Sequence, residues 1–230
     1  NVALLIRSFF PIIFNQYWYF NAYIVLVLFI PFLNAGIDLM ETESLKKIVI
    51  LLVILSGTIG FIGHLFENGG YSVIWLMIMY LLGAFVKKNM VQNSSALLLV
   101  MVYVIGACIS LVGEYISLNY IGHIKMWLNY NSPIVIIQSI CLFIFCVKVK
   151  IKNKRVLHLL KLISPLTFSV YLIDANPFFF NKFLHSNFTF INSLNVFEGV
   201  ILFFLSSFSM FIFFLTLEYC RSFLFKKMSL

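Results

Sequence analysis

The chain has 230 residues, of which 62% are hydrophobic and only 10% are charged, and its mean hydropathy is +1.03. A soluble domain carries about 25% charged residues. This composition therefore excludes a single soluble core, a disordered chain, a nucleic-acid-binding tail and a secreted disulfide scaffold. The net charge of +8 needs an explanation other than nucleic acid.

Long apolar runs along the chain predict transmembrane helices. A helix needs about 20 apolar residues to cross the hydrocarbon layer, and its backbone polar groups must be satisfied within the segment. We therefore expect an all-α fold: a polytopic transmembrane helix bundle that occupies residues 1–230 as one integral-membrane domain, without a soluble domain. About seven spans are predicted, at 17–36, 47–63, 71–86, 95–113, 132–149, 164–181 and 197–217.

The basic residues predict the orientation of these spans. Most of the 16 lie in connections that share one side of the membrane: Lys46, Lys47, Lys87, Lys88, Lys148, Lys150, Lys152, Lys154, Arg155, Lys161, Arg221, Lys226 and Lys227. Because Lys and Arg accumulate in cytoplasmic loops, we expect this side and the C-terminus to be cytoplasmic, in a multi-pass protein of the plasma membrane. The same charges could also bind anionic lipid headgroups or an anionic cytoplasmic donor.

The sixth predicted span carries a polar stripe on one helical face. The stripe consists of Ser164, Thr167, Tyr171 and Asp174, which fall within an arc of about 80° at about 100° per residue. An aspartate within a span costs about 2.5–3.5 kcal/mol on insertion scales, so it should face protein or water. The stripe therefore either lines a catalytic cavity or forms hydrogen bonds with neighbouring helices.

Both ends of this span have sequence signals. Ser164 followed by Pro165 predicts an N-cap with proline at the first helical position. The preceding stretch, Lys154–Ile163, would then be a separate basic helix at the cytoplasmic face. At the other end, Asn176-Pro177 should kink or end the helix, and Asn176 is a candidate substrate-binding residue.

The outer side of the predicted membrane domain offers two further candidates. His64 and Glu67, three residues apart in a short loop, could act as a base and its orienter, or they could belong to an ordinary solvated loop. Trp18, Tyr71 and Trp75 lie near outer ends of spans, where aromatic rings anchor helices at the headgroup level. Their faces could also stack on sugar rings, which makes them candidate substrate-binding residues.

No pattern in the chain indicates a metal or a tightly bound cofactor. The four cysteines lie in apolar runs without a CxxC pair, and no His-linked spacing of metal ligands is present. Gly57, Gly60 and Gly63 lack the strand–turn–helix context of a phosphate loop. They are better explained by close helix packing.

Three stretches taken in order resemble the acyltransferase 3 family of integral-membrane O-acyltransferases. The first runs from FPI at 10–12 through YWYFNAY at 17–23 to PFLN at 31–34. The second runs from GYSVIW at 70–75 through YLLGAF at 80–85 to the lysines at 87–88. The third is ISPLTFSVYLI at 163–173. The resemblance covers most of the chain.

This resemblance implies a fold of about ten spans, of which this chain shows the later ones. It implies acetyl-CoA as a cytoplasmic acyl donor and a hydroxyl of a cell-surface polysaccharide as the acceptor. The family's catalytic histidine, in its first span, and its arginine motif cannot be placed here, and Arg7 does not match that motif. Asp174 stands where many relatives carry histidine. A chain without those spans would be inactive alone.

The hypothesis that follows is acyl transfer to a hydroxyl, which needs a base for the alcohol and donors for the oxyanion. The stripe on the sixth span and the loop at 64–71 would form walls on the acceptor side. The competing hypothesis is a polytopic transporter or a flippase of lipid-linked glycans, which would explain the spans and the stripe equally well. Lipid and a glycan are thus the expected partners, nucleic acid is not, and the oligomeric state stays open.

Overall fold

The computed structural model describes residues 12–14, 17–60, 68–89, 95–122, 127–176, 179, 180, 183 and 188–228. These residues form α-helices joined by short 3-10 and π-helical turns, and no β-strand occurs among them. The all-α prediction is therefore confirmed. The helices are α1 (Trp18–Leu39), α2 (Thr42–Leu55), α3 (Val73–Asn89), α4 (Ala96–Ile116), α5 (Pro133–Lys148), α6 (Lys154–Ile163), α7 (Thr167–Asp174) and α8 (Val196–Met228).

Four stretches of helix are long and apolar enough to cross a membrane: Trp18–Leu39, Ala96–Tyr120, Lys154–Asp174 and Val196–Lys227. The helix α5 is apolar but has only 16 residues, and α2 and α3 have 14 and 17 residues. Each of the seven predicted spans thus contains a helix. A 14-residue helix rises about 21 Å, which is less than the hydrocarbon thickness of about 30 Å. Residues 61–63, the end of the second predicted span, lie outside the described residues.

The start of the sixth span differs from the prediction. Ser164 has a helical backbone (φ −51°, ψ −45°), and α6 continues through a 3-10 turn, Ser164–Leu166, into α7. The N-cap prediction is wrong because the 3-10 turn, with its i→i+3 hydrogen bonds, carries the chain past the missing N–H of Pro165 without an extended residue. The helix α7 ends at Asp174, as the Asn176-Pro177 sequence predicts.

Residues Trp18–Lys150 form one compact unit, and its hydrophobic core joins α2, α3, α4 and α5. Leu45 and Val49 of α2 are almost fully buried against apolar side chains of α3 and α5. The remaining members of the core cluster are Trp75, Ile78, Leu82, Phe85, Val86, Leu99, Ile136, Cys141 and Ile144. Along α3 these residues recur every three or four positions, while the other faces of the helices keep large apolar side chains exposed. Such exposed apolar surface is characteristic of a membrane-facing helix.

The indole of Trp127 lies in a notch on α4. A Cβ atom added to Gly113 would come within 2.5 Å of the Trp127 ring, so only glycine permits this approach. The Trp127 backbone N–H donates to the Glu114 carboxylate at 3.2 Å, and its indole N–H donates to the Ser117 hydroxyl at 2.8 Å. The loop that carries Trp127 is thereby fixed to the end of α4.

A π-helical turn, Ser56–Gly60, continues α2. Such a turn displaces backbone carbonyls from the regular helical ladder. The Ser56 carbonyl accepts a bond of 3.4 Å from the side-chain amide of Asn131. Asn131 is completely buried, so this unit places a polar side chain next to a carbonyl displaced from the helix.

Residues Asn1–Tyr17 and Ile151–Leu230 form a second compact unit. Within it, α7 packs against α8, and a 3-10 turn, Thr189–Ser193, also contacts α8. Few of its described residues are buried: Tyr17, Val170 and Phe214 among the apolar ones and Glu218 among the charged ones.

Glu218 links α7 to α8 within this second unit. Its side chain is only 6% exposed and accepts hydrogen bonds from two nitrogens of Arg221, Nε at 2.7 Å and Nη2 at 2.6 Å. The hydroxyl of Ser169 on α7 also hydrogen-bonds to this carboxylate. A charge held away from water needs such partners, and here they come from both helices.

We expect Gly113→Ala to destabilise the protein. The new methyl group would collide with the rigid Trp127 ring, and overpacking costs about 1–3 kcal/mol, more than the gain of about 1 kcal/mol from the better helix propensity of alanine. The matched control is Gly83→Ala, also in a helix, where nothing lies within 4 Å of the added Cβ. Thermal unfolding in detergent should show a lower midpoint for Gly113→Ala only. Equal midpoints for Gly113→Ala and Gly83→Ala would contradict the close packing of the Trp127 ring against Gly113.

We also expect Arg221→Ala to lower the thermal midpoint by several degrees, because it leaves the buried Glu218 carboxylate without its bidentate partner. Adding Glu218→Gln to Arg221→Ala removes the uncompensated charge, so the double variant should regain part of the loss. The control is Lys46→Ala, which breaks an exposed Glu43–Lys46 pair of 3.7 Å and should change little. A double variant less stable than Arg221→Ala would show that the charge of Glu218 is not what the arginine stabilises.

Candidate functional site

A cavity of about 540 Å³ lies within the unit that contains α7 and α8. Its polar lining comes from Thr167, Tyr171 and Asp174 on α7 and from Ser206 and Ser207 on α8. The apolar part of the lining consists of Val170, Phe188, Ile191, Phe203, Met210, Phe211 and Phe214. One carboxylate and four hydroxyl groups therefore share a cavity whose other walls are largely aromatic.

The polar stripe predicted on the sixth span supplies three of these polar groups. Thr167, Tyr171 and Asp174 line the cavity, whereas Ser164 is exposed in the 3-10 turn and does not. The Thr167 hydroxyl donates to the Ser164 backbone carbonyl at 2.8 Å, so Thr167 is also bonded to that turn. Thr167, Tyr171 and Asp174 therefore share one cavity, whereas Ser164 belongs to the turn that joins α6 to α7.

The Tyr171 ring is held by aromatic neighbours on either side. Its centroid lies 6.1 Å from that of Phe168 and 6.5 Å from that of Tyr17, the latter edge to face. Edge-to-face pairs at this distance are favourable beyond the area that they bury. The ring at the cavity wall is therefore fixed in orientation by packing.

Asn176, a predicted substrate-binding residue, lies just beyond the end of α7. Its side-chain amide donates to the Tyr17 hydroxyl at 3.0 Å, and its carbonyl oxygen accepts from the Phe179 backbone N–H at 3.2 Å. Both bonds organise the chain where the helix ends. Asn176 is not among the residues that line the cavity.

Ser206 and Ser207 were not identified from the sequence. They lie midway along α8, between apolar residues on both sides, and the Ser206 hydroxyl donates to the Phe203 carbonyl at 3.0 Å. Serine inside a transmembrane helix commonly bonds to the preceding turn, so a serine pair in such a run is only a weak signal. Its significance appears only when α7 is packed beside it.

A second aromatic group lies in the other unit, Trp18–Lys150. The rings of Trp18, Tyr71 and Tyr130 are mutual neighbours, with centroid distances of 4.8, 5.8 and 4.9 Å. Both tyrosines are nearly half exposed. Partial burial, followed by the charge and hydrogen bond of the neighbouring Tyr71, raises the pKa of Tyr130.

Gly70 allows the chain segments that carry Tyr71 and Tyr130 to approach each other closely. It has a positive φ of 90°, and a Cβ atom added there would lie 2.6 Å from the Tyr130 Cβ. The adjacent Gly69 carbonyl accepts the Tyr130 backbone N–H at 3.1 Å. The cluster thus depends on glycine at a position that side chains rarely tolerate.

The remaining sequence candidates are Trp75, His64 and Glu67. Trp75, predicted to bind substrate, is only 4% exposed and belongs to the hydrophobic core. His64 and Glu67 lie outside the described residues. Among the residues that the structure describes, no three His, Cys, Asp or Glu side chains are grouped to hold a metal ion.

The cavity has the chemistry to hold a ligand rich in hydroxyl groups. A carboxylate accepts hydrogen bonds from hydroxyls, and serine, threonine and tyrosine both donate and accept them. Aromatic walls add apolar contact for the C–H faces of such a ligand. Pockets for small molecules commonly combine an apolar wall with a few convergent polar groups in this way.

Comparison with known proteins gives one match. A sequence model of the acyltransferase 3 family, described as an acyltransferase domain, matches residues 2–219. No curated protein and no solved structure matches the chain. The family match includes the cavity and the aromatic cluster, and it agrees with the apolar helices found in the structure. The chain therefore belongs to the acyltransferase 3 family of membrane acyltransferases.

Proposed function

We propose that this acyltransferase transfers an acetyl group from acetyl-CoA to a hydroxyl of a cell-surface or extracellular polysaccharide. The observation that carries the proposal is the cavity between α7 and α8. In a member of an acyltransferase family, a carboxylate and four hydroxyls lie together in helices that are otherwise apolar. Polar groups at membrane depth are costly and mark functional sites.

The reaction defines what the protein must supply. The acceptor oxygen forms a bond to the acetyl carbonyl carbon, the thioester C–S bond breaks, and the hydroxyl proton leaves to a base while the sulfur departs as thiolate and is then protonated. The transition state also needs donors for its oxyanion. In our proposal Asp174 accepts hydrogen bonds from acceptor hydroxyls, and Ser206, Ser207 and Thr167 complete the acceptor wall.

The proposed orientation follows from the lysine distribution. The basic connections and the C-terminus would face the cytoplasm of a plasma-membrane protein, where an anionic thioester donor is available. The helix α7 leads away from the basic segment that precedes it, so Asp174 would lie deeper than Thr167 along the path toward the outer face. The acceptor would therefore approach the Asp174 end of the cavity.

Replacing Asp174 tests this assignment. In membranes that contain the chain together with the upstream spans that the family resemblance implies, Asp174→Ala should lower transfer of labelled acetyl from acetyl-CoA to polysaccharide about ten- to hundred-fold, because a hydrogen bond to a charged group contributes about 1.5–3 kcal/mol. Asp174→Asn should retain part of the activity, since its carbonyl still accepts. Asp38→Ala, at an exposed aspartate of α1, should leave turnover unchanged.

The outcomes separate the site from the reaction. Unchanged turnover in Asp174→Ala would remove Asp174 from the acceptor wall while leaving the reaction in place. If the chain with those upstream spans resists extraction by alkaline carbonate yet transfers no acetyl group, the proposed reaction is wrong. Accumulation of a glycan in vesicles by such a chain would instead support the transporter hypothesis.

A second test concerns the serines of α8. The double variant Ser206→Ala/Ser207→Ala should raise the KM for the polysaccharide several-fold with a smaller change in kcat, because neutral hydrogen bonds contribute about 1 kcal/mol each. Ser209→Ala lies on the same helix but outside the cavity lining, and it should behave as the unaltered protein. Equal effects of the two changes would point to helix stability rather than to acceptor binding.

A further inference from the structure

The helix α6 has two opposite faces of different chemistry. At 100° per residue, its four polar residues, Lys154, Arg155, His158 and Lys161, fall within an arc of about 120°. Its apolar face consists of Val156, Leu159, Leu160 and Ile163, within an arc of about 100° on the other side. Leu157 lies between the two faces, and Leu162 is the one apolar residue within the polar arc. This pattern is typical of a helix that lies at a boundary between water and an apolar phase.

The apolar face of α6 is not covered by the rest of the described chain. No residue of the helix is buried, and Leu159, Leu160 and Val156 are 54%, 43% and 42% exposed. The helix is nevertheless well formed at its start, since the Asn153 side chain accepts the Arg155 backbone N–H at 2.9 Å. An ordered helix with an exposed leucine face requires an apolar partner.

Charge identifies the chemistry of that partner. Residues 148–163 contain six basic side chains, Lys148, Lys150, Lys152, Lys154, Arg155 and Lys161, and no acidic one. A partner that offers both an apolar phase and a layer of negative charge complements the two faces of α6 at once. A bilayer with anionic headgroups has this arrangement.

The polar residues also favour a position along the surface rather than across the membrane. By length and composition, Lys154–Asp174 could cross as one span. Lys161 lies on the third turn of that stretch and is exposed, so a crossing α6 would present its ammonium group to hydrocarbon. The 3-10 turn at Ser164–Leu166, which contains Pro165, joins the amphipathic helix to α7, so an α6 that lies along the surface would bend away from α7 at this turn.

We propose that α6 docks along the surface of the bilayer, with Lys154, Arg155 and Lys161 bound to the phosphates of anionic lipid headgroups and Val156 and Leu160 inserted among the acyl chains. The partner is the lipid bilayer itself. The proposal concerns membrane attachment of one helix, and it holds whether or not the acetyl-transfer reaction is as proposed above.

Depth measurements along α6 test the proposal. The full chain, with its four cysteines replaced by alanine, would carry single spin labels at each position from 154 to 163. It would be reconstituted in vesicles of phosphatidylcholine alone or with about 30 mol% phosphatidylglycerol. In the anionic vesicles, label depth should oscillate with a period of about 3.6 residues, deepest at 156 and 160. In the neutral vesicles the oscillation should be much weaker.

Charge variants show whether the headgroups are responsible. The triple variant Lys154→Gln/Arg155→Gln/Lys161→Gln should reduce the ratio of docked to undocked helix at least about ten-fold in anionic vesicles. The matched control, Lys47→Gln/Lys87→Gln/Lys88→Gln, removes the same charge from other basic connections and should leave α6 docked. An equal loss in both triple variants would attribute the effect to total charge and overturn the proposal.

Two other results would also overturn it. Depth that increases steadily from 154 to 163 would mean that α6 crosses the membrane with α7. A depth profile that is the same in both vesicle types would mean that anionic headgroups play no part. If the cysteine-free chain fails to fold, Leu160→Trp in the native chain, compared with the unaltered chain, tests whether the apolar face of α6 lies among the acyl chains. Brominated phosphatidylglycerol should quench the fluorescence of the new tryptophan. The same quenching as in the unaltered chain would overturn the proposal.

Discussion

A hydrocarbon layer offers no water to a polar group, and this constraint governs how the chain arranges its few polar residues. Glu114 accepts the Trp127 backbone N–H, Asn131 bonds the Ser56 carbonyl of the π-helical turn, and Glu218 holds Arg221 and Ser169. These interactions give partners to the two carboxylates and to the side-chain N–H of Asn131, groups that are expensive to bury alone, while the buried Oδ1 of Asn131 has no partner among the described residues. The same interactions attach a loop to α4, support the turn after α2 and join α7 to α8.

The cavity differs from these sites because its polar groups converge on open space. Thr167, Tyr171 and Asp174 face it from one helix, and two serines face it from the other. Glu218 lies one helical turn beyond Phe214, and Ser169 is adjacent to Val170, while Phe214 and Val170 both line the cavity. The buried carboxylate therefore fixes the spacing of the two helices at the end of the site. This spacing is what keeps the cavity from collapsing onto its own apolar walls.

The helices were predictable because apolar length alone determines them. Runs such as 95–113 and 197–217 can satisfy their backbone in lipid only as helices, and both are helical in the structure. Local capping rules failed at Ser164, since a 3-10 turn allowed the helix to continue past Pro165. The stripe on α7 was visible because it shares one face of one helix. Ser206 and Ser207 were not, because their relation to Asp174 depends on packing between helices distant in sequence.

The position of α6 determines how deep the candidate site lies. From Ser164 to Asp174 the helical path is about 15 Å long at 1.5 Å per residue, roughly half of the hydrocarbon thickness of about 30 Å. If α6 lies along the surface, Asp174 is therefore near the middle of the membrane. If α6 crossed as well, the path from Lys154 would be about 30 Å and Asp174 would reach the opposite face.

A cavity at mid-depth would be accessible to a donor from one side and an acceptor from the other, which suits a transfer between two compartments. A cavity at the far face would require the acetyl group to cross most of the membrane before it met the acceptor. Lipid docking of α6 and an acceptor wall on α7 rest on different observations. If α6 docks on lipid, however, the acceptor wall lies at a depth where the acetyl group has only a short distance to travel between donor and acceptor.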